Sequence, residues 1–264
     1  MLVDCHMHSH FSFDAQPDSI EQIAASSIRR GLKAIVISDH KDYFYHGMPP
    51  QKLEIQGAFE EIDRTRQLYD GQIEVLKGVE LGEIHADPAA SALLEAFPFD
   101  TVIGSLHVMP NNIDFYDMDY DHLDQEQLLR DYLKEAKTMI EHGGFDVFAH
   151  IDYPLRVMKR EYNHPSFANF MEWVTPVLRA LIDREIALEI NAAGLFGWMK
   201  KVGPEDFVLD EYRRLGGTMI SIGSDSHAAA SVGRGIEECI AHAKAHGFHT
   251  VMVYRRRKGE SVAI

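Results

Sequence analysis

Imidazoles and carboxylates recur at one kind of place in this chain, directly after short apolar runs of β-forming residues. His6 ends the run Met1–His6 and His8 lies just beyond it; Asp39 and His40 follow KAIVIS at Lys33–Ser38; Glu80 follows Ile73–Val79. His107 stands just past Thr101–Ser105, His150 follows DVFA at Asp146–Ala149, and Asp225 and His227 come after TMISI at Thr218–Ile222. Neutral imidazole and carboxylate are the usual ligands of Zn²⁺, Mn²⁺ and Fe²⁺, and a carboxylate can bridge two ions. Side chains alternate along a strand, so His6 and His8 share a face and can grip one ion, as can Asp225 and His227. Cys5 and Met7 then point the other way, and Cys5 reads as a small buried hydrophobe. A lone H-x-H or D-x-H carries little weight, because a histidine at a strand end is more often a hydrogen-bonded structural residue. Both motifs at opposite ends of the chain, with Glu80, His107 and His150 between them, point to a metal cluster. Of the remaining histidines, only His85, shortly after Glu83, is placed to support a ligand from behind.

Such a cluster forms only if the runs converge. Most are continuous apolar stretches, the pattern of strands covered on both faces in a parallel sheet. Amphipathic helices are expected between them, over Ser19–Arg30, Leu53–Tyr69, Leu123–His142, Phe167–Arg184, Glu205–Leu215 and Ala230–His246. Gly31 and Gly143-Gly144 supply stop signals. Seven strand–helix units favour an α/β, TIM-like barrel, in which active sites sit at the C-terminal strand ends. With no Pro/Ser-rich linker, low-complexity tract or repeat, residues 1–264 are expected to form a single domain. The aromatic stretch Lys41–Gln51 reads as either a substrate wall or a packed loop over the barrel rim.

Composition narrows the partners. A net charge of −15 argues against broad binding to nucleic acid or anionic membranes. Two cysteines give no disulfide framework, no basic–apolar leader is visible at the N-terminus, and no apolar stretch approaches a membrane span. A cytoplasmic location is therefore expected.

With these residues in view, the chain resembles the PHP (polymerase and histidinol phosphatase) superfamily. DCHMHSH, VISDH, GVELG, GSLH, FAHID, LEINAAG and GSDSH occur in the family's order. The resemblance implies a distorted (β/α)7 barrel with a trinuclear site. It gives one ion to His6, His8, Glu80 and Asp225, and a second to Glu80, His107 and His150. A third falls to His40 and His227 with Asp14, which stands where many relatives have histidine. Within the superfamily the layout is most similar to PHP-type histidinol-phosphate phosphatases. Such enzymes often carry a phosphate-holding arginine where this chain has Phe196, so Lys200 or Lys201 is a candidate to compensate. Arg160, in the loop after His150, is favoured over Arg156 for contact with phosphate. Lys41, beside His40, either reaches phosphate or points into solvent.

The resemblance therefore implies hydrolysis of a small phosphomonoester, histidinol phosphate first among them, with two or three divalent ions (Zn, Mn or Fe). Attack by a hydroxide bridging two ions is expected, with Glu80, Asp225 and His227 as the catalytic groups. Rival readings are a PHP-type phosphodiesterase, a nucleotide or phosphotyrosine phosphatase, an amidohydrolase-like deaminase, and a non-catalytic metal-bound module.

Overall fold

The apolar runs do form the staves of a barrel. The computed structural model describes residues 1–43, 54–110, 114–158 and 165–264. Its strands are β1 (Val3–Met7), β2 (Ala34–Ile37), β3 (His40–Lys41), β4 (Glu74–Gly82), β5 (Thr101–Ser105), β6 (Val147–Phe148), β7 (Ala187–Asn191) and β8 (Ile220–Gly223). They pair in parallel in the order β1-β2-β4-β5-β6-β7-β8, with β3 also on β4. His40 opposes Glu80 in the register by which Ile37 opposes Lys77, so β2 and β3 are one strand interrupted at Ser38 and Asp39. Seven staves result, as expected. Every residue of β2, β5, β7 and β8 is buried, as in strands covered on both faces.

The seam between β8 and β1 is closed just past β8. Met7 bridges Ser226 in parallel fashion, His8 N donates to Ser226 O (2.8 Å), and Asp225 N donates to His6 O (2.9 Å). The barrel thus joins its two ends at the level of the H-x-H and D-x-H motifs.

Helices α1 (Ile20–Arg29), α2 (Ile55–Leu68), α3 (Ala90–Ala96), α4 (Gln125–His142), α5 (Tyr153–Val157), α6 (Met171–Asp183), α7 (Ala193–Phe196), α8 (Asp206–Arg214) and α9 (Ile236–Ala245) fill the connections. A capping box starts α1: Ser19 Oγ accepts from Gln22 N, and Gln22 Oε1 accepts from Ser19 N. The expected helix from Ala230 starts only at Ile236, because Gly233 and Gly235 take φ of 69° and 83°, outside helical space. The first turn expected at Phe167 is a 3₁₀ segment, Phe167–Phe170, ahead of α6. No described helix is long and apolar enough to cross a membrane.

One element was not anticipated. Strands β9 (Thr250–Arg255) and β10 (Lys258–Ala263) form an antiparallel hairpin after α9. Val251 and Val253 are fully buried on its inner face. Arg255 grips Glu74 through Nε (2.7 Å) and Nη2 (2.5 Å), Arg257 Nε meets Asp146 Oδ2 (2.5 Å), and Arg256 N donates to Asp100 Oδ1 (3.1 Å). Glu74, Asp100 and Asp146 stand at the N-terminal ends of β4, β5 and β6, so the hairpin plugs the barrel end opposite the histidines.

Candidate metal centre

Glu80, wholly buried on β4, is the hub. Its Oε2 lies 3.1 Å from His6 Nε2, 3.5 Å from His8 Nε2 and 3.1 Å from His40 Nδ1. Its Oε1 lies 3.1 Å from His150 Nε2 and 3.4 Å from His107 Nε2. Asp225 Oδ1 is 3.5 Å from His8 Nε2 and 3.8 Å from His6 Nε2. Asp14 Oδ2 is 3.0 Å from His227 Nε2 and 3.6 Å from His40 Nε2. All nine ligands expected from the sequence therefore meet in one cluster, graded from Glu80 at 0% exposure to Asp14 at 37%. Within it, His6–His8–Glu80, Glu80–His107–His150 and His8–His40–His227 each bring three ligand atoms within 4.8 Å of one another. Asp225 holds its place with φ of 56°, a left-handed conformation unusual for aspartate.

Behind these side chains stands a layer of carboxylates that the sequence reading missed. Glu189 on β7 takes His6 Nδ1 at 2.7 Å through Oε1, and Oε2 accepts from His150 N and Asn191 Nδ2, each at 2.9 Å. Gly223 makes this possible, since a Cβ there would collide with Glu189 Oε1 and His6 Cβ. Asp42 takes His107 Nδ1 at 3.2 Å, and Glu83 Oε1 accepts from His107 N (2.7 Å) and Val108 N (2.9 Å). A carboxylate on one ring nitrogen leaves the lone pair of the other free for a metal. The signal available was Glu189 itself, a carboxylate within the apolar run Ala187–Ile190, where it must have a partner.

Electrostatics follow from this crowding. Burial pushes the Glu80 carboxyl up, but the charges of His40 and His6 prevail and hold it well below the carboxylate range. His8 falls to about 3, through burial and then the neighbouring charges of His40 and His227. For His40 and His107 burial also pulls down, but is outweighed. Glu80 and Asp42 lift His40 to about 9, and Asp42 leads in raising His107 well above the usual range.

These residues fit divalent metal ions on the structure's own terms. His8 Nε2 and His40 Nδ1 are buried and make no hydrogen bond, although each faces Glu80 Oε2. Buried polar atoms are rarely left so, and a cation among these nitrogens and oxygens would satisfy them together.

A cavity of about 110 Å³ opens onto the cluster, walled by His40, His107, His150, Asp225 and His227, with Phe13, Asp114 and Tyr153 also lining it. The candidate substrate groups fall differently. Arg156 approaches Asp225 from outside this cavity, its Nη1 donating to Asn191 Oδ1 (2.8 Å) and Asp225 Oδ2 (3.4 Å). Lys41 pairs with Asp87 (3.1 Å) and does not line the cavity. Lys200 and Lys201 are exposed and also lie off it. The Phe196 ring carries the Arg234 guanidinium 3.5 Å from its centroid. His85 pairs with Glu135 of α4 (2.7 Å) rather than backing a ligand. Arg160 and positions 44–51 of the aromatic loop lie outside the described residues. Cys5 is buried in the apolar core.

Comparison with known proteins agrees with this architecture. The model of the family described as "PHP domain" matches residues 4–193. A probable histidinol-phosphatase of Thermotoga maritima is 32% identical over 96% of this chain and 95% of its own. A histidinol-phosphatase of Lactococcus lactis is 30% identical over 97% of this chain and 95% of its own. A crystal structure of histidinol phosphate phosphatase from Lactococcus lactis, complexed with zinc, L-histidinol and phosphate, superposes with a TM-score of 0.84 at 28% identity, covering 98% of each chain.

Proposed function

The chain belongs to the PHP domain family, and from that premise we propose that it hydrolyses L-histidinol phosphate to L-histidinol and inorganic phosphate with divalent metal ions. One observation carries the reading. Imidazoles and carboxylates from five other strand ends gather around the two oxygens of Glu80 at one mouth of the barrel, beside a cavity able to admit a phosphate group. The named activity of full-length relatives and the bound species of the Lactococcus lactis structure supply the substrate.

His6, His8, Glu80 and Asp225 would hold one ion, Glu80, His107 and His150 a second, and His40, His227 and Asp14 a third. When bound, the ions supply Lewis acidity toward phosphoryl oxygens and make water more acidic. The protein's part is orientation and charge. Glu189 and Asp42 fix His6 and His107 by their Nδ1 atoms and aim both Nε2 atoms at Glu80. Arg156 offsets the charge of Asp225 and draws Oδ2 to one side. At the rim, His227 Nδ1 is tied to Asp225 O (3.0 Å), which leaves the Nε2 lone pair, beside Asp14, as the one that would hold the third ion. Arg160 is the remaining candidate for holding phosphate.

The test is direct. Protein loaded with zinc or manganese is expected to release phosphate from histidinol phosphate. His8→Ala and Asp225→Ala should abolish that turnover and each lower bound metal by about one equivalent. Inactivity of the loaded protein, or full activity in either variant, overturns the reading.

A further inference from the structure

The mouth of the cavity carries three side chains outside the candidate ligand set and its supports: Asp114, Tyr153 and Phe13. An antiparallel bridge to Val108 and a hydrogen bond from Phe115 N to His107 O (3.1 Å) fix Asp114 beside His107. Its Oδ1 accepts from the Tyr153 hydroxyl (2.8 Å) and from Tyr116 N (2.8 Å). Its Oδ2 makes no hydrogen bond or ion pair with a described residue. The Tyr153 ring in turn stands edge-on to His107 at 4.9 Å and tilted against His150 at 5.3 Å, so the carboxylate is braced against the cluster itself. At the same mouth, the Phe13 ring is 62% exposed and lies 5.4 Å from the His40 ring. A braced carboxylate with a spare oxygen, at a mouth that also carries two aromatic rings, suits a cationic and planar group.

Resting on the phosphatase reading above, we infer that Asp114 selects phosphate esters whose alcohol carries a protonated amine, with Phe13 and Tyr153 flanking a planar ring on that alcohol. Phosphate enters the cluster, and the amine meets Oδ2 at the rim. A bare structural role is the competing account, since Asp114 also caps the 3₁₀ turn Phe115–Asp117. Asp114→Asn separates the two: asparagine keeps the shape and an oxygen for the Tyr153 hydroxyl and Tyr116 N, and loses only the charge.

The experiment compares kcat and KM of wild type and Asp114→Asn on histidinol phosphate, O-phosphoethanolamine and glycerol 3-phosphate. Wild type should prefer the two amine esters. The variant should lose about ten- to a hundredfold in kcat/KM on them, mostly through KM, as expected for one charged hydrogen bond. On glycerol 3-phosphate it should match wild type. Parallel losses on all three esters, unchanged amine esters, or no amine preference in wild type would each overturn the assignment. If histidinol phosphate is inert while O-phosphoethanolamine turns over in an Asp114-dependent way, the proposed substrate falls and the role of Asp114 stands. Phe13→Ala should impair histidinol phosphate and spare O-phosphoethanolamine, which has no ring. Equal effects on both remove Phe13 from the inference.

Discussion

Glu189→Gln is the sharpest probe of how the cluster is held, because it alters one atom of a side chain that faces the ligands from behind. The carboxylate serves three donors: His6 Nδ1 on Oε1, and His150 N and Asn191 Nδ2 on Oε2. A carboxamide cannot. If its oxygen faces His6, its NH₂ meets two donors, and Asn191 cannot turn to help, since its Oδ1 already accepts from Arg156 Nη1 and Ala193 N. If its NH₂ faces His6 instead, the His6 proton must move to Nε2, and the lone pair aimed at Glu80 is lost. Each arrangement forfeits at least one hydrogen bond to a charged acceptor, about 1.5–3 kcal/mol. Loss of a group that orients a metal-binding histidine typically lowers metal affinity or activity about 10- to 100-fold, or ~1.4–2.7 kcal/mol. The two figures agree in size, so the variant should fold, with about 2 kcal/mol less stability in urea. It should need about 10- to 100-fold more zinc or manganese for half-maximal turnover. The assay is a metal titration of turnover on chelator-stripped protein, with bound metal measured on the same samples. Wild-type metal affinity and turnover, or reduced stability alone, would refute the reasoning and leave the orientation of His6 to other contacts.

Metal uptake should release protons. In the metal-free protein His40 is raised to about 9 and His107 lies well above the usual range, so both rings hold protons at pH 7 and must lose them to bind an ion, whereas His8, held to about 3, contributes none. Manganese affinity is therefore expected to rise with pH from 7 towards 9, and calorimetric heats should differ between buffers of different ionisation enthalpy; buffer-independent heats would contradict this. At the other end of the barrel, Val253→Ala removes two carbons from a fully buried site on β9 and should cost about 2 kcal/mol in urea unfolding while leaving kcat unchanged. A fall in kcat without a loss of stability would tie the hairpin to the chemistry rather than to the scaffold.

What the sequence revealed and what it concealed divide along the range of the interactions. A ligand at a strand end is marked locally, by the apolar run before it, and barrel geometry then brings all such positions to one mouth. That is why His6, Glu80, His107, His150 and Asp225 could be picked out singly and still meet. Their supports carry no local mark of which ligand they serve. Glu189 lies 183 residues from His6, and Asp42 lies 65 from His107. Asp42 is hidden further because it follows β3, a two-residue strand too short to show any period. The closing hairpin escaped notice for a different reason. Its turn is Arg256-Arg257, at φ of 50° and 62°, where glycine or asparagine would have announced it. Nearness in sequence also misled: Lys41 adjoins His40, yet its ammonium turns away to Asp87. The same logic separates reaction from substrate. The candidate metal-binding set hangs on strand ends that the fold dictates, so a metal centre is legible from spacing, and the reaction class follows from the family resemblance of the motifs that carry it. Asp114, Tyr153 and Phe13 come from connections, where no periodicity constrains the residue, and only their meeting at the rim gives them a role. Changing the alcohol this chain accepts should therefore require edits in those connections alone, with Glu80 and its ring of histidines left as they are.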